Sequence, residues 1–215
     1  MVAMSNVVKI DPVNPQHDLI ERAAGILISG GVIGYPTETV YGIGCSAFDA
    51  EAVERIIRLK NRDHSKAMIL IASDTVQVRE LVTTIPENAE KLIENFWPGP
   101  LTLVFESSSR LKDFVFGTTK TVAIRIPDSV LCLELIKETG FPIVSTSANI
   151  SGQPDSTTAD QVVELFGSQL DLIIDGGPTP EKIPSTVVDI THAPPRIVRK
   201  GAITPLEINT VLEIH

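Results

Sequence analysis

The run Gly34-Tyr-Pro-Thr-Glu-Thr-Val-Tyr-Gly-Ile-Gly44 constrains the fold more than any other stretch of the chain. The apolar piece from Gly31 to Tyr35 has the length of a short strand. Pro36 then fixes φ and removes a donor, which stops a regular ladder. Thr37, Glu38 and Thr39 follow, and short hydroxyl side chains there can bind backbone or ligand. Gly42 and Gly44 allow positive φ and close approach of backbone. From Asp49 to Lys60 the apolar residues return at helical spacing. The segment reads as strand, polar glycine-bearing loop, helix, which is where an α/β protein holds a ligand. Gly42-x-Gly44-x-x-Ala47, with Asp63 downstream, also matches the spacing of a dinucleotide fingerprint. That fingerprint needs its first glycine directly at the strand end, and here Pro36 to Tyr41 intervene.

The rest of the chain repeats the alternation. Short apolar runs predict strands over 7–10, 67–72, 101–105, 121–126, 142–144, 172–174, 187–190 and 196–199. Helical periodicity predicts helices between them. The first opens at Asn14-Pro15, with Leu19, Ile20, Ala23, Ala24, Leu27 and Ile28 on its apolar side, and closes at Gly30-Gly31. Others cover 73–81, 86–96, 127–140, 157–166 and 204–214. Trp97-Pro98-Gly99-Pro100 is a sharp break, with the tryptophan packed under the turn. The stretch 106–120 is polar and irregular, a candidate lid. No linker or repeat divides the chain, so its 215 residues read as one domain, long enough to bury a sizeable core.

Composition narrows the functional classes. A net charge of −9 disfavours a protein whose main task is coating nucleic acid. Cys45 and Cys132 form no disulfide framework, and the first 13 residues lack the apolar core of a signal peptide. A cytoplasmic protein with no membrane association is expected. Motifs for a zinc site, a P-loop and a nucleophile elbow are all missing. What remains is a set of strand ends bearing small hydroxyls, amides and cations. Lys60, Arg62 and Lys66 lie between a helix end and a strand start, where they serve either an anion or the helix C-terminus. Arg125 sits in a strand and faces either solvent or an anion. Ser145 and Ser147 alternate, so both hydroxyls project to one side, close to Asn149. Such groups position substrates and neutralise charge, which suits nucleotidyl or phosphoryl transfer without a covalent enzyme intermediate.

Tyr35-Pro-Thr-Glu-Thr-Val-Tyr-Gly-Ile-Gly44 resembles the signature loop of the YrdC-like family, the threonylcarbamoyl-AMP synthases. The resemblance continues through Lys60-x-Arg62 with Lys66, Trp97-Pro-Gly-Pro100-Leu-Thr, Val122-Ala-Ile-Arg125-Ile-Pro and Ser145-Thr-Ser-Ala-Asn149-x-Ser-Gly152. It ends with Asp175-Gly-Gly, Ser185-Thr-Val-Val-Asp189 and Val198-Arg199-Lys-Gly201. These blocks are collinear and span nearly the whole chain.

The resemblance implies an open, twisted, mixed β-sheet of the α/β class, with flanking helices and a concave basic cleft. It implies that L-threonine, bicarbonate and ATP give threonylcarbamoyl-AMP, pyrophosphate and water, for the threonylcarbamoylation of adenosine in tRNA. Lys60, Arg62 and Lys66 would bind the phosphates and stabilise the departing pyrophosphate. Thr37, Ser145 and Ser185 would contact threonine, with Arg125 on its carboxylate. Thr121, Ser147, Asn149 and Arg199 would hold the nucleotide. Mg²⁺ would arrive with ATP. The implied partners are these substrates, tRNA or double-stranded RNA, and the transferase proteins that receive the adenylate; the protein would be a monomer or a homodimer. Because the chain ends soon after Gly201, it resembles the short form, with 1–215 as one YrdC-like domain. Two positions depart from the pattern. Ile71 lies on the strand where long members carry a histidine, and Asp63 follows Arg62 where proline is common. An RNA-binding module without catalysis, and a paralogue with another carbamoyl or carboxylate substrate, are the competing readings.

Overall fold

The computed structural model describes residues 6–63, 68–113 and 120–213. Ten strands form one sheet, in the order β1-β8-β2-β3-β7-β4-β6-β5-β9-β10. They are β1 (Val7–Lys9), β2 (Ile33–Tyr35), β3 (Gly42–Ser46), β4 (Ile69–Ile71), β5 (Leu101–Glu106), β6 (Thr121–Arg125), β7 (Ile143–Ser147), β8 (Leu172–Asp175), β9 (Thr186–Asp189) and β10 (Arg196–Arg199). Parallel and antiparallel pairs alternate irregularly along the sheet, so the ladder is mixed, as expected.

Among the described residues seven α-helices flank the sheet: α1 (His17–Ile28), α2 (Ala50–Lys60), α3 (Thr75–Leu81), α4 (Glu87–Phe96), α5 (Val130–Thr139), α6 (Ala159–Phe166) and α7 (Pro205–Leu212). Side-chain caps start several of them: Asp49 accepts from Ala52 N–H, Ser129 from Cys132 N–H, and Thr158 and Thr204 complete capping boxes. The helix expected at Asn14 begins later, at His17. Asp11 Oδ1 takes the N–H groups of Val13 and Asn14 (2.9 and 3.1 Å), which commits that segment to a turn. Ile28, expected on the buried side, is exposed. None of the helices among the described residues is long and apolar enough to cross a membrane.

The two sheet faces differ. One carries Ile43, Cys45, Leu70, Leu103, Phe105, Val122, Ile124, Val144 and Val188, all buried in the larger core with the apolar sides of α2, α3, α4 and α6. The other carries a smaller cluster in which Ile33, Tyr35, Ile71, Ile143, Leu172 and Ile174 pack with α1 and α5. Beyond Ile71 and Ile143 this second face turns polar.

The main departure from the sequence expectation is β3. Gly42 and Gly44 belong to a strand between β2 and β7, not to a loop, and neither has positive φ. Their role is close approach. A Cβ on Gly44 would lie 2.8 Å from Tyr35 Cε1 and 2.7 Å from the Val144 carbonyl oxygen, and one on Gly42 would lie 3.4 Å from Tyr35 Cζ. Tyr35 lies over the strand these glycines leave bare and donates its hydroxyl to Ser145 Oγ on β7 (2.8 Å).

Candidate active site

Strand register decides where the polar residues point, because directly paired residues project to the same face. Ala123, Ile69, Ser145, Gly44 and Ile33 form one cross-strand row. Arg125, Ile71, Ile143 and Ser46 form the next row. Ser147, Gly42 and Tyr35 lie on the other side of the first row. On the far half of the sheet Val104 pairs with both Ala123 and Asp189, so it joins the same face. Thr102 and Arg199 follow through their shared partner Val187. Thr121, Arg125, Ser145, Ser147, Thr102 and Arg199, spread over four strands, therefore share the polar face.

Arg125 is buried and held on three sides. It donates from Nε to the Gly99 carbonyl (2.9 Å), from Nη1 to Thr39 Oγ1 (3.1 Å) and from Nη2 to Glu38 Oε1. Both side chains of the Arg125–Glu38 ion pair are less than a tenth exposed. The anion that Arg125 faces is thus internal, supplied by the Thr37-Glu38-Thr39 run. A hydroxyl chain continues from it. Thr37 donates to the Val40 carbonyl (2.8 Å), so the 2.8 Å contact between the two threonine hydroxyls is donated by Thr39. Thr37 Oγ1 also accepts the N–H groups of Thr39 and Val40 (3.2 and 3.3 Å) and closes the turn.

Lys60, at the last turn of α2, is fully buried. Its Nζ donates to the Ser147 carbonyl, to the Asn149 carbonyl (2.7 Å) and to Asn149 Oδ1 (2.8 Å). Asn149 Oδ1 also accepts from Ser147 Oγ (2.8 Å), and Asn149 Nδ2 donates to the Gln153 carbonyl (2.6 Å). The three ammonium hydrogens are all used in shaping the turn after β7, so the geometry gives Lys60 a positioning role. Burial pushes its pKa down to about 8; Arg62 adds to the shift and Asp155 opposes it.

Ser185, immediately before β9, shares a 2.8 Å hydroxyl contact with Thr102. Arg199 at the end of β10 donates to the Ser185 carbonyl from Nε and Nη2 (3.1 and 2.8 Å) and to Ser185 Oγ (3.0 Å). Desolvation lowers the Arg199 pKa; Asp155 counters the shift, while Arg125 and Arg62 reinforce it. Arg199 is therefore the electrostatic neighbour of Arg62, Arg125 and Asp155. Desolvation likewise lowers the Arg62 pKa.

Short backbone straps fix the run from Pro36 to Tyr41. Tyr41 N–H donates to the Ser156 carbonyl and Ala148 N–H to the Tyr41 carbonyl (both 2.8 Å). Glu181 N–H and Lys182 N–H reach the Glu38 and Thr39 carbonyls (3.1 and 2.9 Å). Both cysteines are buried, and burial pushes each thiol up to about 12, so neither supplies a thiolate near neutral pH. Among the described residues no group of three or more His, Cys, Asp or Glu is arranged to hold a metal ion.

A family model described as Sua5_yciO_yrdC, Telomere recombination, matches residues 25–201. The chain belongs to the Sua5/YciO/YrdC family. It is 42% identical over 193 residues to the threonylcarbamoyl-AMP synthase of Pyrococcus abyssi (strain GE5 / Orsay), covering 90% of this chain and 57% of that protein. It is 38% identical over 203 residues to the Bacillus subtilis (strain 168) protein of the same name, covering 94% of this chain and 59% of that one. The crystal structure of P. abyssi Sua5 complexed with L-threonine superposes with a TM-score of 0.91 at 39% identity, covering 96% of this chain and 60% of that chain. The chain thus spans about three fifths of the length of these relatives.

Family membership and the twisted α/β sheet agree with the sequence expectation. Of the residues singled out there, Thr37, Arg125, Ser145, Ser147, Asn149, Ser185, Arg199 and Lys60 line the polar face or the turns beside it. Lys66 lies outside the described residues, as does 114–119 of the candidate lid; Ser109–Asp113 of that stretch is a short 3₁₀ turn. Two carboxylates escaped sequence reasoning. Glu38 lay in plain view within the signature run, and a buried arginine in a strand needs an anion, so pairing the two was open. Asp155 carries no local signal.

Proposed function

We propose that this protein is an L-threonylcarbamoyladenylate synthase, in line with the names of its relatives and the threonine complex of P. abyssi Sua5. The observation that supports the reading is the shared face: Thr121, Arg125, Ser145, Ser147 and Arg199 project from separate strands to one side of the sheet. Threonine takes up carbon dioxide, released from bicarbonate with water, on its amine to form a carbamate. The carbamate oxygen attacks the α-phosphorus of ATP, and pyrophosphate leaves. No protein nucleophile is required, which agrees with the raised thiols.

In this reading Arg125 holds the threonine carboxylate, using guanidinium hydrogens left over from its three internal bonds. Ser145 and Ser185 contact the same substrate, and Thr37 shapes the loop around it. Arg62, Lys66 and Arg199 neutralise the triphosphate and the departing pyrophosphate. Lys60 adds its charge there while holding the Ser147–Asn149 turn, which, with Thr121, receives the nucleotide. A magnesium ion would arrive with ATP, held by the phosphates and water. The product would serve tRNA modification in the cytoplasm, through transferase proteins that accept the adenylate.

The test is pyrophosphate release from ATP with threonine and bicarbonate supplied together or singly. Release that needs both supports the assignment. Equal release with either one omitted sinks it. The net charge of −9 argues against the RNA-binding alternative, which predicts RNA affinity that falls steeply with added salt.

A further inference from the structure

Glu38 carries an unexplained atom. Oε1 accepts from Arg125 Nη2 and from Asp128 N–H (3.1 Å). Oε2 is buried and has no hydrogen-bond partner. The side chain is only 9% exposed, so water does little to compensate. Leaving a buried carboxylate oxygen bare costs about 1–3 kcal/mol or more. The backbone on either side is tied down by the Thr37 turn and by Glu181 N–H, and Oε1 is held by Arg125 and Asp128 N–H, which keep the carboxylate turned inward.

An α-amino acid offers a cationic nitrogen one carbon away from its carboxylate. The Arg125–Glu38 pair presents the reverse arrangement: a guanidinium in contact with a carboxylate whose second oxygen is buried and unpartnered. A zwitterion laid across the pair would satisfy both halves, its carboxylate on Arg125 and its ammonium on Oε2. The surroundings favour a cation there. Glu181, beside Glu38, has its carboxyl pKa raised by desolvation and by the Glu38 charge, with Asp128 adding to the shift and Arg125 opposing it.

We propose that Glu38 Oε2 receives the amino group of the substrate whose carboxylate pairs with Arg125, making Glu38 the residue that selects an α-amino acid over a plain carboxylic acid. The assignment rests on the amino-acid-dependent reading above.

Calorimetry on the full chain with ATP tests it, using L-threonine and 3-hydroxybutyrate, the same skeleton without the amine. The wild type should prefer threonine by about 10- to 100-fold, the range expected of a hydrogen bond to a charged group. Glu38→Gln should bind threonine about 10-fold or more weakly while keeping its affinity for 3-hydroxybutyrate. A preference for threonine that is unchanged in the variant overturns the assignment and leaves the functional reading standing. A wild type that does not bind threonine removes both. Should Glu38→Gln fail to fold, a wild-type crystal with threonine decides. A nitrogen within about 3.2 Å of Oε2 supports the proposal, and one beyond hydrogen-bond reach of it, with water in its place, overturns it.

Discussion

Tyr35 on β2 donates to Ser145 on β7 at 2.8 Å although β3 runs between their strands. The bond exists because β3 carries glycine where the tyrosine ring must lie. Sheet geometry and site geometry meet here, since Ser145 is one of the hydroxyls on the polar face.

Gly44→Ala should therefore be costly. The added methyl would meet the Val144 carbonyl, Ile143 Cγ2 and Tyr35 Cε1 at 2.7–2.8 Å. A loss of about 1–3 kcal/mol is expected, the usual penalty of overpacking. Gly25→Ala, in the exposed part of α1 with nothing within 4 Å of the new carbon, should instead gain about 0.5–1 kcal/mol. Urea midpoints of the two variants, compared with the wild type, check both signs.

Arg125→Met should destabilise the protein by about 3–5 kcal/mol, because it leaves the Glu38 carboxylate buried without its cation. Adding Glu38→Gln should restore a large part of that loss. Denaturation of the two single variants and the double variant measures the coupling. Additive losses would mean that the ion pair is not the source.

Lys60 gives a pH prediction. Its pKa is pushed down to about 8 in the folded chain from an ordinary 10.5. Between those values the unfolded chain holds a proton that the folded chain has released, so unfolding takes up a proton and stability rises with pH. The difference in unfolding free energy between wild type and Lys60→Met should grow in favour of wild type from about pH 8 towards pH 10 and stay flat below pH 7. A difference that falls across the upper window would contradict the shift.

Arg62→Ala should weaken ATP binding by about 10- to 100-fold, the loss of one charge-assisted contact, while moving the urea midpoint little. Nucleotide titration beside a melting curve separates the two effects. Unchanged ATP affinity would remove Arg62 from the site.

Much of this was legible in the chain. The strand and helix pattern is locally consistent, with capped helices and short apolar strands, so element order followed from periodicity. The face shared by Ser145 and Ser147 followed from alternation alone. The strand character of Gly42–Ser46 did not. Glycine at alternate positions reads as a loop, and only the ring of Tyr35, which lies across that strand, explains why a strand is built that way. The same limit applies to Glu38 and Asp155. Their surroundings come from residues distant in sequence, Arg125 for one and Lys60 and Arg199 for the other, which no local spacing encodes. Lys60 looked like a ligand-facing cation, yet three acceptors in the turn after β7 claim its hydrogens.

The last hydrogen-bonded part of the polar face is Arg199, which reaches back to Ser185 from the closing strand of the sheet. Thr37, near the other end of the chain, touches Arg125 only through Thr39. The polar face is therefore complete only when residues from 37 to 199 have come together. A fragment that lacks β10 would leave Ser185 without its three hydrogen bonds from Arg199.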